Sequence, residues 1–314
     1  MTKEINTLVY DIYEVAYTGL PPSEQTEESD KIIVDYATRM GEFMGKKVYP
    51  DERKTKDHAD RTIRMSELGT PCLRQLMYKW YEPEFGLPPY TYQGDPTLGV
   101  KFGYGNLIEE YVLTLAELAG HLVTNKQTKV EIPVGGWIAR GSMDAVIDNV
   151  LVDVKSSSKF GFDVHRKEGF TEKNDTFGYS YQLNGYRVAA GYTDAAFLMV
   201  EKETGRLNVV PPIAMDPLKI RTRIGNVAGI AESYQRTGKM PARLKTKPHS
   251  YGEQLDIACS YCQFKHACFP DLITYVERGR PIHITNLNGS GVSFAKIKAS
   301  EIWKRPAQKV PKAP

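Results

Sequence analysis

The sequence predicts a mixed α/β fold with a central sheet flanked by helices, and three observations carry that expectation. Extended runs rich in β-branched residues, "TKVEIPV", "GWIARGSMDAVID" and "VLVDVKSS", follow one another between Thr128 and Ser157. A helical pattern, "GYGNLIEEYVLTLAELAGH", precedes them. After them come "YSYQLNGYRVAAGY", "DAAFLMVEKE" and the segment from Pro217 to Arg236, which read as helix, strand and helix. That order suits a sheet with helices packed on it.

Taken from the N-terminus, residues 1–60 join an apolar start, "INTLVYDIYEVAY", to the acidic "PPSEQTEESD" and read as a lead-in segment. Apolar residues at helical spacing from Gly103 put Glu109 and Glu110 in the first turns of a helix. Ala145-Val146-Ile147 and Val150-Leu151-Val152, joined by Asp148-Asn149, have the composition of a tight hairpin. If those two residues form the loop, Ile147 pairs with Val150, Asp144 falls opposite Asp153, and the period of two sets Lys155 on the face of Asp153. The polar stretch from Lys159 to Gly178 reads as a long connection. Gly191 is the expected stop of the next helix, and Thr204-Gly205 a turn into "RLNVVPPI". The helix after Pro217 turns Ile220, Ile224, Val227 and Ile230 or Ala231 inward. The division expected is 1–60, a main domain over 61–275, and a C-terminal extension over 276–314 ending in the basic tail "KRPAQKVPKAP".

Composition is that of a globular protein. No apolar run is long enough to cross a bilayer and no charged-then-apolar leader opens the chain, so a cytoplasmic protein is expected. A net charge of +3 over 314 residues does not by itself argue for nucleic acid, but the charge is uneven. Between Asp216 and Lys247 lie Lys219, Arg221, Arg223, Arg236, Lys239, Arg243, Lys245 and Lys247 against Asp216 and Glu232 alone. That excess suits either a phosphate backbone or a solvated helix face.

Two carboxylates facing each other across a hairpin repel and need compensation. Either Lys155 serves as counter-charge on a solvated face, or a divalent cation sits between Asp144 and Asp153 with Lys155 beside the water it activates. Cysteines are the second clue. Cys259, Cys262 and Cys268 fall in "CSYCQFKHAC", a C-x2-C-x5-C spacing, and Cys72 makes a fourth. This count suits a cuboidal iron–sulfur cluster, preferred over a structural zinc because two C-x2-C knuckles are absent; unliganded thiols are the remaining reading. Arg74, two residues after Cys72, is either a backbone contact or a local salt-bridge partner. Gln182 and Tyr186, four apart in "YQLNGY", share a helix face.

Gly105-x-x-x-Glu109, "GSMDAVID", "LVDVKSS", "QLNGY" and the split cysteine set, with Cys72 inside "SELGTPCLRQLMY", occur in the order used by PD-(D/E)XK nucleases of the RecB-like branch. The chain resembles most closely that branch's four-cysteine iron–sulfur members: the CRISPR-associated spacer-acquisition nuclease, the AddB nuclease domain and their phage-encoded relatives. The resemblance spans roughly Ser66 to Pro270, about two thirds of the chain. It implies a restriction-endonuclease-like core, with a metal-cluster lobe joining Cys72 to the C-terminal cysteines.

Residue by residue, it makes Asp144 and Asp153 the catalytic acids and Lys155 the catalytic lysine. Gln182 and Tyr186 match the Q-x-x-x-Y motif bordering the site. Glu109 stands where many members carry a metal-binding histidine, so Glu109, Asp144 and Asp153 become the ligands of Mg2+ or Mn2+, with Glu110 a rival to Glu109. Cys72, Cys259, Cys262 and Cys268 become the ligands of a [4Fe-4S] cluster, structural Zn2+ being the alternative.

The implied function is a metal-dependent deoxyribonuclease. It would act as an exonuclease, more than as a structure-specific endonuclease, on single-stranded DNA or duplex ends in recombination, repair or phage DNA processing. DNA is the expected partner and a membrane is not; a recombination or helicase partner, an oligomer and the host cytoplasm of a phage-encoded protein are left open. Two other classes compete. A catalytically silent DNA-binding subunit would have no use for the intact acids and lysine, and an iron–sulfur redox protein would leave them with no role.

Overall fold

A computed structural model describes residues 3–48, 61–85, 97–277 and 280–293. They fall into two compact units, Met1–Pro241 and Ala242–Pro314. In chain order the first holds α1 (Leu8–Thr18), α2 (Glu27–Val48), β1 (Thr62–Arg64), α3 (Met65–Leu68), α4 (Leu73–Trp80) and α5 (Thr97–Leu118). There follow β2 (Val123–Thr124), β3 (Lys129–Val134), β4 (Trp137–Ser142), β5 (Ala145–Ile147), β6 (Val150–Ser157), α6 (Lys159–Glu168), α7 (Tyr179–Ala190), β7 (Ala195–Glu201), β8 (Leu207–Val210) and α8 (Pro217–Thr237).

The central sheet is mixed, as expected, with strand order β2-β5-β6-β7-β8. Asp148 and Asn149 both adopt left-handed backbone (φ 50° and 68°), the geometry that closes a two-residue hairpin, and Ile147 pairs with Val150. β6 and β7 are parallel, and α6 and α7 supply the crossover such a pair requires. Period two then sorts the core. Val152, Val154, Leu198 and Val200 pack with Leu8 and Ile12 of α1 and with Val112, Leu113 and Ala116 of α5. Leu151, Phe197 and Met199, on the other face, pack with Phe162 of α6 and Leu183 of α7. Each such buried side chain contributes about 1.5–3 kcal/mol.

A three-stranded sheet, β1-β4-β3, lies beside the helix α7. Trp137 of β4 is buried there, its indole N–H donating to Glu232 of α8 at 2.9 Å. Thus β4 belongs to one sheet and β5 to the other, and the chain passes between them through Met143 and Asp144.

Three elements depart from the sequence reading. Residues 1–60 read as a lead-in, yet α1 buries Leu8 and Ile12 fully in the core. His121, buried three residues beyond α5, sits between Asp11 of α1 (3.1 Å) and Asp148 of the hairpin turn (2.6 Å), and ties these elements together. Helix α5 starts at Thr97, not near Gly103, so Glu109 and Glu110 lie mid-helix. Gly103 and Gly105 mimic a start signal, but a helix interior tolerates glycine for about 1 kcal/mol each. The expected connection from Lys159 to Gly178 contains α6, capped by the Ser158 hydroxyl and held by buried Phe162. Helices α7, ending at a left-handed Gly191, and α8, with Ile220, Ile224, Val227 and Ala231 buried, match expectation.

The second unit contains an antiparallel sheet of β9 (Lys247–His249), β10 (Gly252–Gln254), β11 (Ile273–Glu277) and β12 (Arg280–Thr285), ordered β11-β12-β10-β9. Two short helices, α9 (Ile257–Ser260) and α10 (Lys265–Cys268), carry Cys259 and Cys268. The basic tail "KRPAQKVPKAP" lies outside the described residues.

Candidate active site where the chain changes sheets

The hairpin ladder ends at Ala145 paired with Val152, one step short of the Asp144–Asp153 pairing expected from the turn. Val154 N–H takes the carboxylate of Asp144 as acceptor, at 2.8 Å. Asp153 has no such partner. Its side chain is 1% exposed, and Oδ1 receives no hydrogen bond. Asp153 is ion-paired instead, the Lys155 ammonium lying 2.6 Å from its Oδ2.

Glu109 reaches this group from α5, held by the Gln127 amide, which donates to Oε1 at 2.6 Å. Glu110 is engaged elsewhere, accepting from Arg39 of α2 at 2.6 Å. The field at the site follows from three carboxylates and one ammonium in little solvent. Burial first, then Asp153 and Glu110, pushes Glu109 up to about 7. Asp144 is raised well above the usual carboxylate range by burial, then by Asp153 and Glu109. Burial opposes the charge on Lys155, but Asp153 and Asp144 outweigh it and hold the ammonium above its ordinary value.

Gln182 and Tyr186 come to the same place, the Gln182 amide donating to the Tyr186 hydroxyl at 3.1 Å. Tyr186 is pushed up to about 12, by burial first and then by the charges of Asp153 and Asp144, against the bond from Gln182. The ring lies directly on β4. A Cβ at Gly141 would stand 2.7 Å from Tyr186 Cε1, which is why "GSMD" begins with glycine.

The chemistry of the donor set fits a divalent cation. Clustered carboxylate oxygens, with Asp153 Oδ1 lacking any donor, are hard ligands of the kind Mg2+ and Mn2+ take. Among the described residues no group of three or more His, Cys, Asp or Glu is placed to hold a metal ion, so Glu109, Asp144 and Asp153 do not form a closed set of ligands. A cation here would therefore complete its shell with water and phosphate oxygens, as Mg2+ commonly does.

Sequence reasoning missed two neighbours. The Tyr179 ring lies under Lys155, 5.2 Å from Nζ, and Gln127 orients Glu109. Tyr179 was findable, since it precedes Gln182 by three residues and so shares its helix face. Gln127 was not, because only the folded chain brings it to α5.

No family model and no curated protein matches the chain. Solved structures resemble it, two of which follow. The protein SSO0001 is 14% identical with a TM-score of 0.43, over 78% of this chain and 96% of that one. An alkaline exonuclease from Laribacter hongkongensis is 15% identical with a TM-score of 0.36, over 58% of this chain and 96% of that one. The functional reading rests on the site itself.

The remaining sequence candidates divide. All four cysteines are buried, Cys72 at the start of α4 in the first unit and the other three in the second. Arg223 donates to the carbonyls of Leu68 and Thr70, both at 2.7 Å, so it braces the fold. Arg74 donates to the Pro241 carbonyl at 2.9 Å and stacks over Tyr78, which is neither role expected for it. No helix among the described residues is long and apolar enough to cross a membrane.

Proposed function

We propose that the chain is a divalent-metal-dependent deoxyribonuclease acting as an exonuclease on single strands or duplex ends. One observation carries the reading: buried Asp153, its Oδ2 paired with the Lys155 ammonium and its Oδ1 without a donor, sits in the field of Glu109 and Asp144. Such a group is poorly compensated as a structural feature, since carboxylates outnumber the cation in a place with little water. It is well suited to hold metal ions against phosphate.

Glu109, Asp144 and Asp153 are the residues that would hold Mg2+ or Mn2+. The ion supplies Lewis acidity toward a phosphoryl oxygen and makes bound water acidic. Lys155 presents a charged donor to the attacking water and to the phosphate, where negative charge grows in the transition state. Gln182 and Tyr186 are positioning residues that set the lysine and the strand. Exposed basic residues of α8, Arg221 among them, remain candidates for the phosphate backbone, whereas Arg223 is committed to carbonyls. The spacing Cys259-x2-Cys262-x5-Cys268, with Cys72 as the fourth thiol, carries the accompanying proposal of an iron–sulfur cluster.

The experiment is degradation of end-labelled single- and double-stranded DNA with Mg2+ or Mn2+, wild type against Lys155→Ala. Cleavage by wild type and its loss in the variant, with DNA binding retained, supports the reading, and the order of fragments gives the polarity. Iron-loaded wild type that binds DNA and never cleaves it would overturn it in favour of a DNA-binding subunit.

A further inference from the structure

Gln127 is bonded to two of the three residues offered as metal ligands, and from a strained backbone. Its side-chain amide donates to Glu109 Oε1 at 2.6 Å, and its main-chain N–H donates to the Asp144 carbonyl at 3.1 Å. Its φ is 51°, in the left-handed region. Long side chains seldom occupy that region, and such strain persists only where the surroundings impose it.

Here the neighbours impose it. Asn125, also left-handed at φ 53°, donates its side-chain amide to the Tyr192 hydroxyl at 2.7 Å. Lys126 pairs with Glu117 of α5. Met143 N–H donates to the Thr128 carbonyl at 3.0 Å, one residue before the chain reaches Asp144. The turn over 125–128 therefore grips α5 at Glu117 and Glu109, and grips the crossing between the sheets at Met143 and Asp144. Glu109 and Asp144 come from elements with no local relation, and Gln127 joins them.

The kind of donor matters as much as its place. Glu110, next along α5, is paired with the Arg39 guanidinium, whose charge would oppose a cation. The Gln127 amide is neutral, so it orients the Glu109 carboxylate without cancelling its charge. With Oε1 committed to the amide, Oε2 is the oxygen left for a metal ion. A carboxylate limited to one oxygen suits Mg2+ and Mn2+, which prefer a tight octahedron; Ca2+ takes more oxygens and readily uses both of a carboxylate.

We propose that Gln127 is a positioning residue that fixes Glu109 as a one-oxygen ligand beside Asp144. It thereby sets the affinity of the site for Mg2+ or Mn2+ and its preference for them over Ca2+. The proposal rests on the nuclease reading and deepens it.

The test measures ion binding on the full chain without DNA, by isothermal titration calorimetry with Mn2+ and with Ca2+. Asp153→Asn defines which bound ions belong to the site. Gln127→Gly removes the amide and suits the left-handed backbone, so the fold is spared. It is expected to weaken Mn2+ binding by about 10- to 100-fold while changing Ca2+ binding by less than about threefold. Its Tm, measured in chelator, should not fall. Gln127→Met keeps the length of the side chain without the donor and loses Mn2+ to the same degree, which separates the hydrogen bond from the backbone.

Equal losses of both ions, or a Tm in chelator that falls with the affinity, makes Gln127 merely structural and overturns the proposal. If wild-type protein cleaves DNA and Gln127→Gly binds both ions as wild type does, this inference falls and the nuclease reading stands. If Gln127→Gly selectively loses Mn2+ in a protein that never cleaves, the positioning role stands and the nuclease reading falls. Wild-type protein with no Asp153-dependent Mn2+ binding overturns both.

Discussion

Gly141→Ala tests the packing on which the site depends. The Gly141 backbone does not occupy the left-handed region, so alanine suits it conformationally. In open space the substitution would stabilise by about 0.4–1 kcal/mol through the unfolded chain. Here the new methyl would lie 2.7 Å from Tyr186 Cε1, 3.0 Å from its hydroxyl and 3.1 Å from Met65 Cβ. None of these can retreat cheaply. Tyr186 is 5% exposed and Met65 fully buried, so the strain falls on the seat of α7 against β4. Overpacking of this kind costs about 1–3 kcal/mol, which outweighs the backbone gain and leaves a net loss of about 1–2 kcal/mol. Urea unfolding measures it. A cycle with Tyr186→Ala isolates it, because without the ring Gly141→Ala should be tolerated, giving a coupling of about 1 kcal/mol or more. Cleavage should fall with stability in the single variant, since the Gln182–Tyr186 bond moves. A neutral or stabilising Gly141→Ala would mean that Tyr186 does not lie on β4, and the assembly of the site from α7 would be wrong.

Two further predictions concern the second unit. His283 is buried and meets the Thr274 hydroxyl at 2.7 Å; burial first, then Lys265 and His266, pulls it down to about 4. Its charged form is disfavoured in the fold, so below its ordinary value of 6.5 the unfolded chain binds more protons, and stability falls as pH drops from there to about 4. The loss is about 3 kcal/mol at most; it should be absent from His283→Gln and so appear as a pH-dependent difference between the wild-type and variant stabilities, and parallel curves would refute it. On the proposed cluster, Cys259→Ala should strip iron and acid-labile sulfide from the purified protein and lower its Tm. A variant that retains full iron removes Cys259 from the cluster.

Why so much of the site was legible lies in its range along the chain. Asp148-Asn149 fixes the hairpin locally, because a two-residue loop with both residues left-handed leaves one register, and that register carries Asp144, Asp153 and Lys155 to one place. Gln182 and Tyr186 are bound by helical spacing alone. The fold class followed for the same reason, since the alternating strands between Lys129 and Ser157 and the helices after them are each set by local periodicity. Glu109 is different in kind. Its nearness to Asp153 depends on how α5 sits on the sheet, and the false helix start at Gly103 shows how little of α5 the local pattern determined. Helix α6 was hidden likewise, since Phe162 is its one fully buried side chain and a single contact leaves no period to read. The ladder ending at Ala145 is the most informative miss. Extending the hairpin by one pair would have satisfied the backbone of Val154 with a carbonyl and set the two aspartates face to face. Committing the Asp144 carboxylate to that N–H instead turns the chain out toward β4 and leaves Asp153 buried with Oδ2 against Lys155 and Oδ1 without a donor. The change of sheet and the making of the site are one event in the fold.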